Sequence, residues 1–127
     1  MVDSQHYIDW ITMAKKDYRA AQILMEHGAD NSLVCFHCQQ AIEKYFKGYL
    51  LKKSNSLVEG HGLIKLCKLC ESYHRDFHNF MKDVALINEY YLETRYPADE
   101  PLIVSNEDTQ ECMVITEKVL NFIDQVI

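Results

Sequence analysis

Two Cys-x-x-Cys pairs, Cys35/Cys38 and Cys67/Cys70, are the first residues in this chain whose type and spacing suggest chemistry. Thiolates three residues apart hold structural zinc when a tight turn wraps them around the metal. Neither pair carries the glycine or proline of such a turn. Cys35 and Cys38 instead step in register with Ile42, Tyr45 and Tyr49, and Cys67 and Cys70 alternate with Leu63, Leu66 and Leu69. Both patterns read as core-facing helix stripes, where cysteine acts as a small hydrophobe. A zinc site between two helices, supplemented by His37 or His61, is the alternative. A Cys–His nucleophile with His37, His61, His74 or His78 is disfavoured because a thiol in a helical core has a raised pKa. No nucleophile elbow, phosphate loop or dinucleotide fingerprint is present, so neither a metal nor a cofactor is expected. Asp99-Glu100 and Glu107-Asp108 are read as a solvated loop and as helix N-terminal charge favoured by the macrodipole.

A second set is polar. His37, Gln40, Glu43, Lys44 and Lys47 recur at spacings of three and four and line a face beside the apolar stripe of the same helix. A histidine and a glutamine on a packed helix need partners. Those partners lie in an interhelical network, in a groove for a nucleotide or partner protein, or across a dimer interface.

The elements that position these groups are helical throughout. Only two prolines and four glycines interrupt the chain. Tyr7, Ile11, Ala14, Tyr18, Ala21 and Met25 form one stripe along a first helix, which Gly28 suits as a terminator. Asp30-Asn31-Ser32 offers N-cap oxygens for a second helix reaching about Lys53. A turn-rich stretch from Ser54 to Gly62 leads to a short third helix near Leu63. A fourth is expected from about Asp76 to Thr94, with Phe77, Phe80, Met81, Val84, Ile87 and Tyr91 inward. Pro97 and Pro101 bracket a loop, and Ser105 with Asp108 marks a capping-box-like start to the last helix. There Cys112, Ile115, Val119, Phe122 and Val126 continue the core pattern. Leu102-Ile103-Val104 is too short for a strand. The reading is all-α: an up-and-down four-helix bundle with an additional short helix, one domain over residues 1–127.

Composition is consistent with that. At 127 residues, 48% hydrophobic and 25% charged, the chain suits a single packed core. No apolar run is long enough to span a membrane, and the start of the chain lacks the layout of a signal peptide, so a cytoplasmic location with reduced thiols is expected. The net charge of −6 is uneven: residues 31–68 carry six lysines against Glu43 and Glu59, whereas residues 69–127 are strongly acidic. The whole-protein field therefore disfavours nucleic acid, although the middle third offers a local basic face or simply a solvated lysine edge.

The run Cys35-Phe36-His37-Cys38-Gln39-Gln40-Ala41-x-Glu43-Lys44-x-x-Lys47-Gly48 resembles the signature helix of HEPN domains, F-H-A-Q-Q-A-x-E-K-x-L-K-A, with Cys38 in place of an alanine. The early helix with Ala14, Asp17, Ala20, Ala21 and Leu24 fits the same resemblance. So do His61-x-Leu63-x-x-Leu66 and Tyr91-x-x-x-Arg95-Tyr96-Pro97. The resemblance implies an all-α domain, commonly a homodimer, that binds a nucleotide or a separately encoded minimal nucleotidyltransferase, in some cases as a toxin–antitoxin pair. On that basis His37, Gln40, Lys44, Lys47, His61 and Arg95 are the expected nucleotide- or partner-binding residues.

Many relatives of this kind are metal-independent ribonucleases that place a histidine four to six residues after an arginine. Here Arg19 precedes His27 by eight residues, Arg75 precedes His78 by three, and Arg95 has no histidine after it. The related Arg-x4-His-x-Tyr form is also missing. Metal-free cleavage of RNA needs an acid–base group and a cation held together at the phosphate. A non-catalytic module is therefore the favoured reading, and a divergent ribonuclease or toxin with an unorthodox Arg–His pair is its competitor. The purified chain is expected to leave a mixed RNA substrate intact; clean cleavage that disappears in Arg95→Ala would reverse this expectation.

Overall fold

The apolar stripe of the first segment folds as α1, Tyr7–Glu26. Its C-terminus closes in a Schellman arrangement: Ala29 N–H donates to the Leu24 carbonyl and Gly28 N–H to that of Met25. Gly28 takes the left-handed conformation this turn requires, with φ +69°. Asp30 then caps α2, Asn31–Ser54, its carboxylate accepting from the Ser32 backbone N–H at 2.8 Å. α3, Leu63–Glu71, has no side-chain cap of its own; Asn88 reaches across to accept from the Leu63 N–H at 2.8 Å. Residues Arg75–Phe80 form a 3-10 turn, followed by α4, Met81–Asn88, and by α5, Asn106–Val126. The computed structural model describes residues 2–90, 97 and 103–127, and among them there is no strand.

The fold is an all-α bundle, and α2 is its axis. α1 packs along it most extensively, α5 and α3 cover further sides, and α4 touches it as well. From Val34 to Leu51 nearly every α2 side chain is buried. Such a helix is enclosed on most faces and carries little amphipathic signal. α1 runs antiparallel to α2, with Tyr7 and Lys52 at one end and Tyr18 and Cys38 at the other. α5 runs parallel to it, as Asn31 meets Asn106, Cys38 meets Met113 and Tyr45 donates to Asp124 at 3.0 Å. At Gly48 the two first helices approach so closely that a Cβ would lie 2.9 Å from Ile11 Cδ1 and 3.2 Å from the Tyr7 carbonyl oxygen.

The helix expected from Asp76 to Thr94 is different in kind. Its first six residues are a 3-10 turn, α-helix covers only Met81–Asn88, and residues 91–94 lie outside the described residues. Two contacts accompany this, one local and one with α5. The His74 ring accepts from the Asp76 N–H, and a 3-10 turn stacks positions i and i+3 on one side. Phe77 and Phe80 therefore both reach Phe122 of α5, at ring separations of 5.0 and 5.1 Å. The start of α5 has the expected capping box: Asp108 N–H donates to Ser105 Oγ at 3.0 Å and Ser105 N–H to Asp108 Oδ2 at 3.2 Å.

All five cysteines are free and fully buried. Cys35 turns to Thr109 and Cys38 to Met113, both on α5. Cys67 donates to the Phe77 carbonyl and Cys70 to that of Phe46. The two pairs thus face different neighbours, and they pack as small core groups. Among the described residues no cluster of three or more metal-ligating side chains occurs.

Burial raises the Cys38 thiol to about 12 and the Cys67 thiol to about 11, from an ordinary 9.0, and raises Cys70 further still. A thiol whose pKa is higher in the folded chain holds its proton more tightly there than when unfolded. Its contribution is complete below the unfolded value and disappears as pH rises towards the folded one. Urea unfolding midpoints are therefore expected to fall steadily once pH passes about 9. Replacing Cys38 and Cys67 together by alanine should flatten that part of the profile.

Candidate functional site

The polar residues of α2 separate into two rows. Gln39, Glu43 and Lys47, four residues apart, are buried, whereas His37, Gln40 and Lys44 are half-buried at the surface. Each row is organised by one carboxylate.

Asp17 of α1 organises the outer row. His37 and Lys44 are seven residues apart, about 10 Å along one face of a helix, and Asp17 sits between them. Its Oδ1 lies 3.1 Å from His37 Nδ1, and its Oδ2 accepts from Lys44 Nζ. A carboxylate at Nδ1 selects the Nδ1–H tautomer and leaves Nε2 as the acceptor. Nε2 makes no hydrogen bond to any described residue. The ring itself is held by an edge contact to Phe36, with centroids 5.6 Å apart.

Glu43 organises the inner row. It is 3% exposed and pairs at 3.3 Å with Lys47, itself 6% exposed. His61, from the connection between α2 and α3, places Nδ1 at 3.2 Å from both Glu43 oxygens. The Lys47 ammonium also lies over the Trp10 ring of α1, 5.7 Å from its centroid. Gln40 donates to Gln39 at 2.7 Å, and Gln39 donates to the His61 carbonyl at 3.4 Å, which links the rows.

Five of the six expected site residues are thus brought together: His37, Gln40 and Lys44 at the surface, and Lys47 and His61 around Glu43. Arg95 lies outside the described residues. α1 supplies the organising carboxylate of the outer row. Asp17 and Gln39 were not expected in the site. The signal for Asp17 was a charge at an apolar register, three residues after Ala14 and four before Ala21, both fully buried.

The electrostatics restrict the chemistry. Two carboxylates face two ammonium groups, so the seam is close to neutral and each lysine is already paired. Lys52 likewise donates to the Ile127 carbonyl and lies over Tyr7, and Lys53 lies over Tyr49. Four of the six lysines that made the middle third basic are therefore engaged within the fold, and they do not form an open phosphate cradle.

Removing one member of a buried pair leaves the other charged without compensation, whereas replacing both by apolar groups is close to neutral. Glu43→Gln is therefore expected to lower unfolding free energy by about 3–5 kcal/mol. The double variant Glu43→Leu, Lys47→Met should recover most of the loss. Urea denaturation of the three proteins checks this; equal losses in the single and double variants would contradict it.

Comparison with known proteins agrees with this architecture. The HEPN domain model matches residues 7–126. The crystal structure of TT1696 from Thermus thermophilus is similar to this chain with a TM-score of 0.81 and 24% identity, covering 98% of this chain and 100% of that one. That of ST0689, an archaeal HEPN homologue, is similar with a TM-score of 0.71 and 25% identity, covering 94% and 96%. No curated protein sequence matches. Among the described residues no helix is long and apolar enough to cross a membrane. With a domain match over nearly all its length and a bundle built on the signature helix, the chain belongs to the HEPN domain family.

Proposed function

We propose that this chain is a non-catalytic HEPN module that docks a separately encoded minimal nucleotidyltransferase, as the homodimeric half of a toxin–antitoxin-like pair. The observation that carries this reading is the outer row. Asp17 fixes the orientation of His37 and Lys44 while leaving both half-exposed, at 30% and 21%. Side chains held in place before binding lose little freedom on docking, and they suit a protein surface. Nucleotide capture at the same row is the second form of the reading. It is less favoured because Lys44 already satisfies a carboxylate and a phosphate would compete with Asp17.

The ribonuclease reading has one observation in its favour. Asp17 at Nδ1 gives His37 the orientation of a general base. The cation beside it, however, is paired with that same carboxylate, so among the described residues of this row no unengaged positive charge faces a developing phosphorane.

Two single substitutions separate binding from folding. Lys44→Ala leaves Asp17 with His37, and His37→Ala leaves it with Lys44, so neither orphans the carboxylate. Each is expected to weaken capture of a nucleotidyltransferase from the same genome by roughly tenfold or more, with an unchanged circular dichroism spectrum. Capture at wild-type strength by both variants would refute the docking reading.

A further inference from the structure

The groove between the 3-10 turn and α5 is flanked by Phe80 and Phe122, whose rings are tilted 43° to each other and share no face. The groove at the starts of α2 and α5, of about 530 Å³, leads instead to reactive groups. Thr109 lines it and is 1% exposed, and behind Thr109 lies a thiol. Cys35 Sγ is 4.0 Å from Thr109 Oγ1.

The two parallel helices are pinned on either side of that contact. Asn31 Nδ2 donates to Asn106 Oδ1 at 2.9 Å one turn before Cys35, and Cys38 Sγ meets Met113 Sδ at 3.5 Å one turn after it. Thr109 and Cys112 are three residues apart, so they lie on the same face of α5. Cys35 accordingly meets Cys112 as well, thiol to thiol in a hydrogen bond, and the Tyr90 hydroxyl donates to the Cys112 sulfur. Cys67 and Cys70 are engaged elsewhere, with the carbonyls of Phe77 and Phe46.

Two sulfurs in contact across a pair of helices form an oxidisable couple. A thiol that donates to a neighbouring sulfur stabilises the thiolate there. The Cys112 thiol in this way holds Cys35 below the ordinary thiol value, while its own pKa is raised by the same bond. Cys35 is therefore the attacking sulfur. Once Cys35 is oxidised, the charge that held the Cys112 proton is gone, and Cys112 becomes free to resolve it.

We propose that Cys35 and Cys112 are a redox modification site, closing a reversible disulfide between α2 and α5 on exposure to a peroxide. Hydrogen peroxide is close to water in size, and the groove brings it to within one side chain of Cys35. Local opening at the helix starts completes the path. The Cys35 sulfur attacks one peroxide oxygen and the O–O bond breaks. The departing hydroxide takes the Cys35 proton, and a sulfenic acid and one water result. The Cys112 sulfur then attacks the sulfenic sulfur, and the hydroxyl group leaves with the Cys112 proton as a second water. The two thiols lose two electrons to peroxide, and a dithiol reductant reverses the change.

Treating the native full chain with hydrogen peroxide, alkylating it and mapping its peptides by mass spectrometry without reduction tests this. Two of the five thiols are expected to disappear, with an intact mass lower by two hydrogens and one peptide pair joining Cys35 to Cys112. Dithiothreitol should restore all five. The oxidised chain should unfold at a higher urea concentration than the reduced one, because the bridge closes a long loop. Cys112→Ala should leave Cys35 as a sulfenic acid that dimedone traps, and Cys38→Ala should leave the bridge unchanged. The wild-type peptide map decides the matter even where a variant does not fold. The proposal is overturned if all five thiols stay free in the native chain, or if Cys38, Cys67 or Cys70 is oxidised instead. A bridge that joins two chains, or one that forms only in urea, overturns it equally.

Discussion

Burial of α2 on all but one narrow polar edge is the constraint from which the rest of this structure follows. A helix enclosed by two long neighbours and two short ones has nowhere to place charge cheaply, yet this one carries Glu43 and Lys47 inward. Each charge is tolerable only because the other lies one helical turn away. Trp10 beneath the ammonium and His61 against the carboxylate complete the shell. The inner row therefore ties α1 and the α2–α3 connection to α2, since a rotation of either would withdraw Trp10 or His61 from the buried pair.

The outer row uses the same logic at lower cost, nearer to water. Asp17 faces α2 because Ala14, Ala21 and Gly48 let the first two helices approach closely, with the Gly48 position in contact with Ile11 and Tyr7. At that separation a short aspartate side chain spans the gap to His37 and Lys44. The packing of small residues and the orientation of the surface histidine are thus one arrangement. The groove between the 3-10 turn and α5 shows the opposite regime. There the apolar rings are fixed by one another, and the polar groups around them are left without partners among the described residues.

Much of this was legible in the amino-acid order. The α1 stripe, the Asp30 cap and the Ser105–Asp108 box follow from local rules, because each depends on residues within one or two turns. The core role of the cysteines was legible for the same reason. The 3-10 character of residues 75–80 was not, since it reflects contact with Phe122, about forty residues away in sequence. The single polar seam read along α2 proved to be two rows, one turned inward and one turned to α1. A periodic pattern gives relative angles around a helix, whereas the number of neighbours that will cover it is a property of the whole bundle.

The family and the helical class belong to the sequence itself, carried by the signature run from Cys35 to Gly48 and by helix punctuation that needs no distant partner. Which carboxylate meets which cation was decided only by tertiary structure. Asp17 and His37 are twenty residues apart, and Glu43 and His61 eighteen. Ion pairs of that reach depend on the distance and rotation between packed helices. Local sequence sets neither; the close approach of α1 to α2 and the near-complete enclosure of α2 set both.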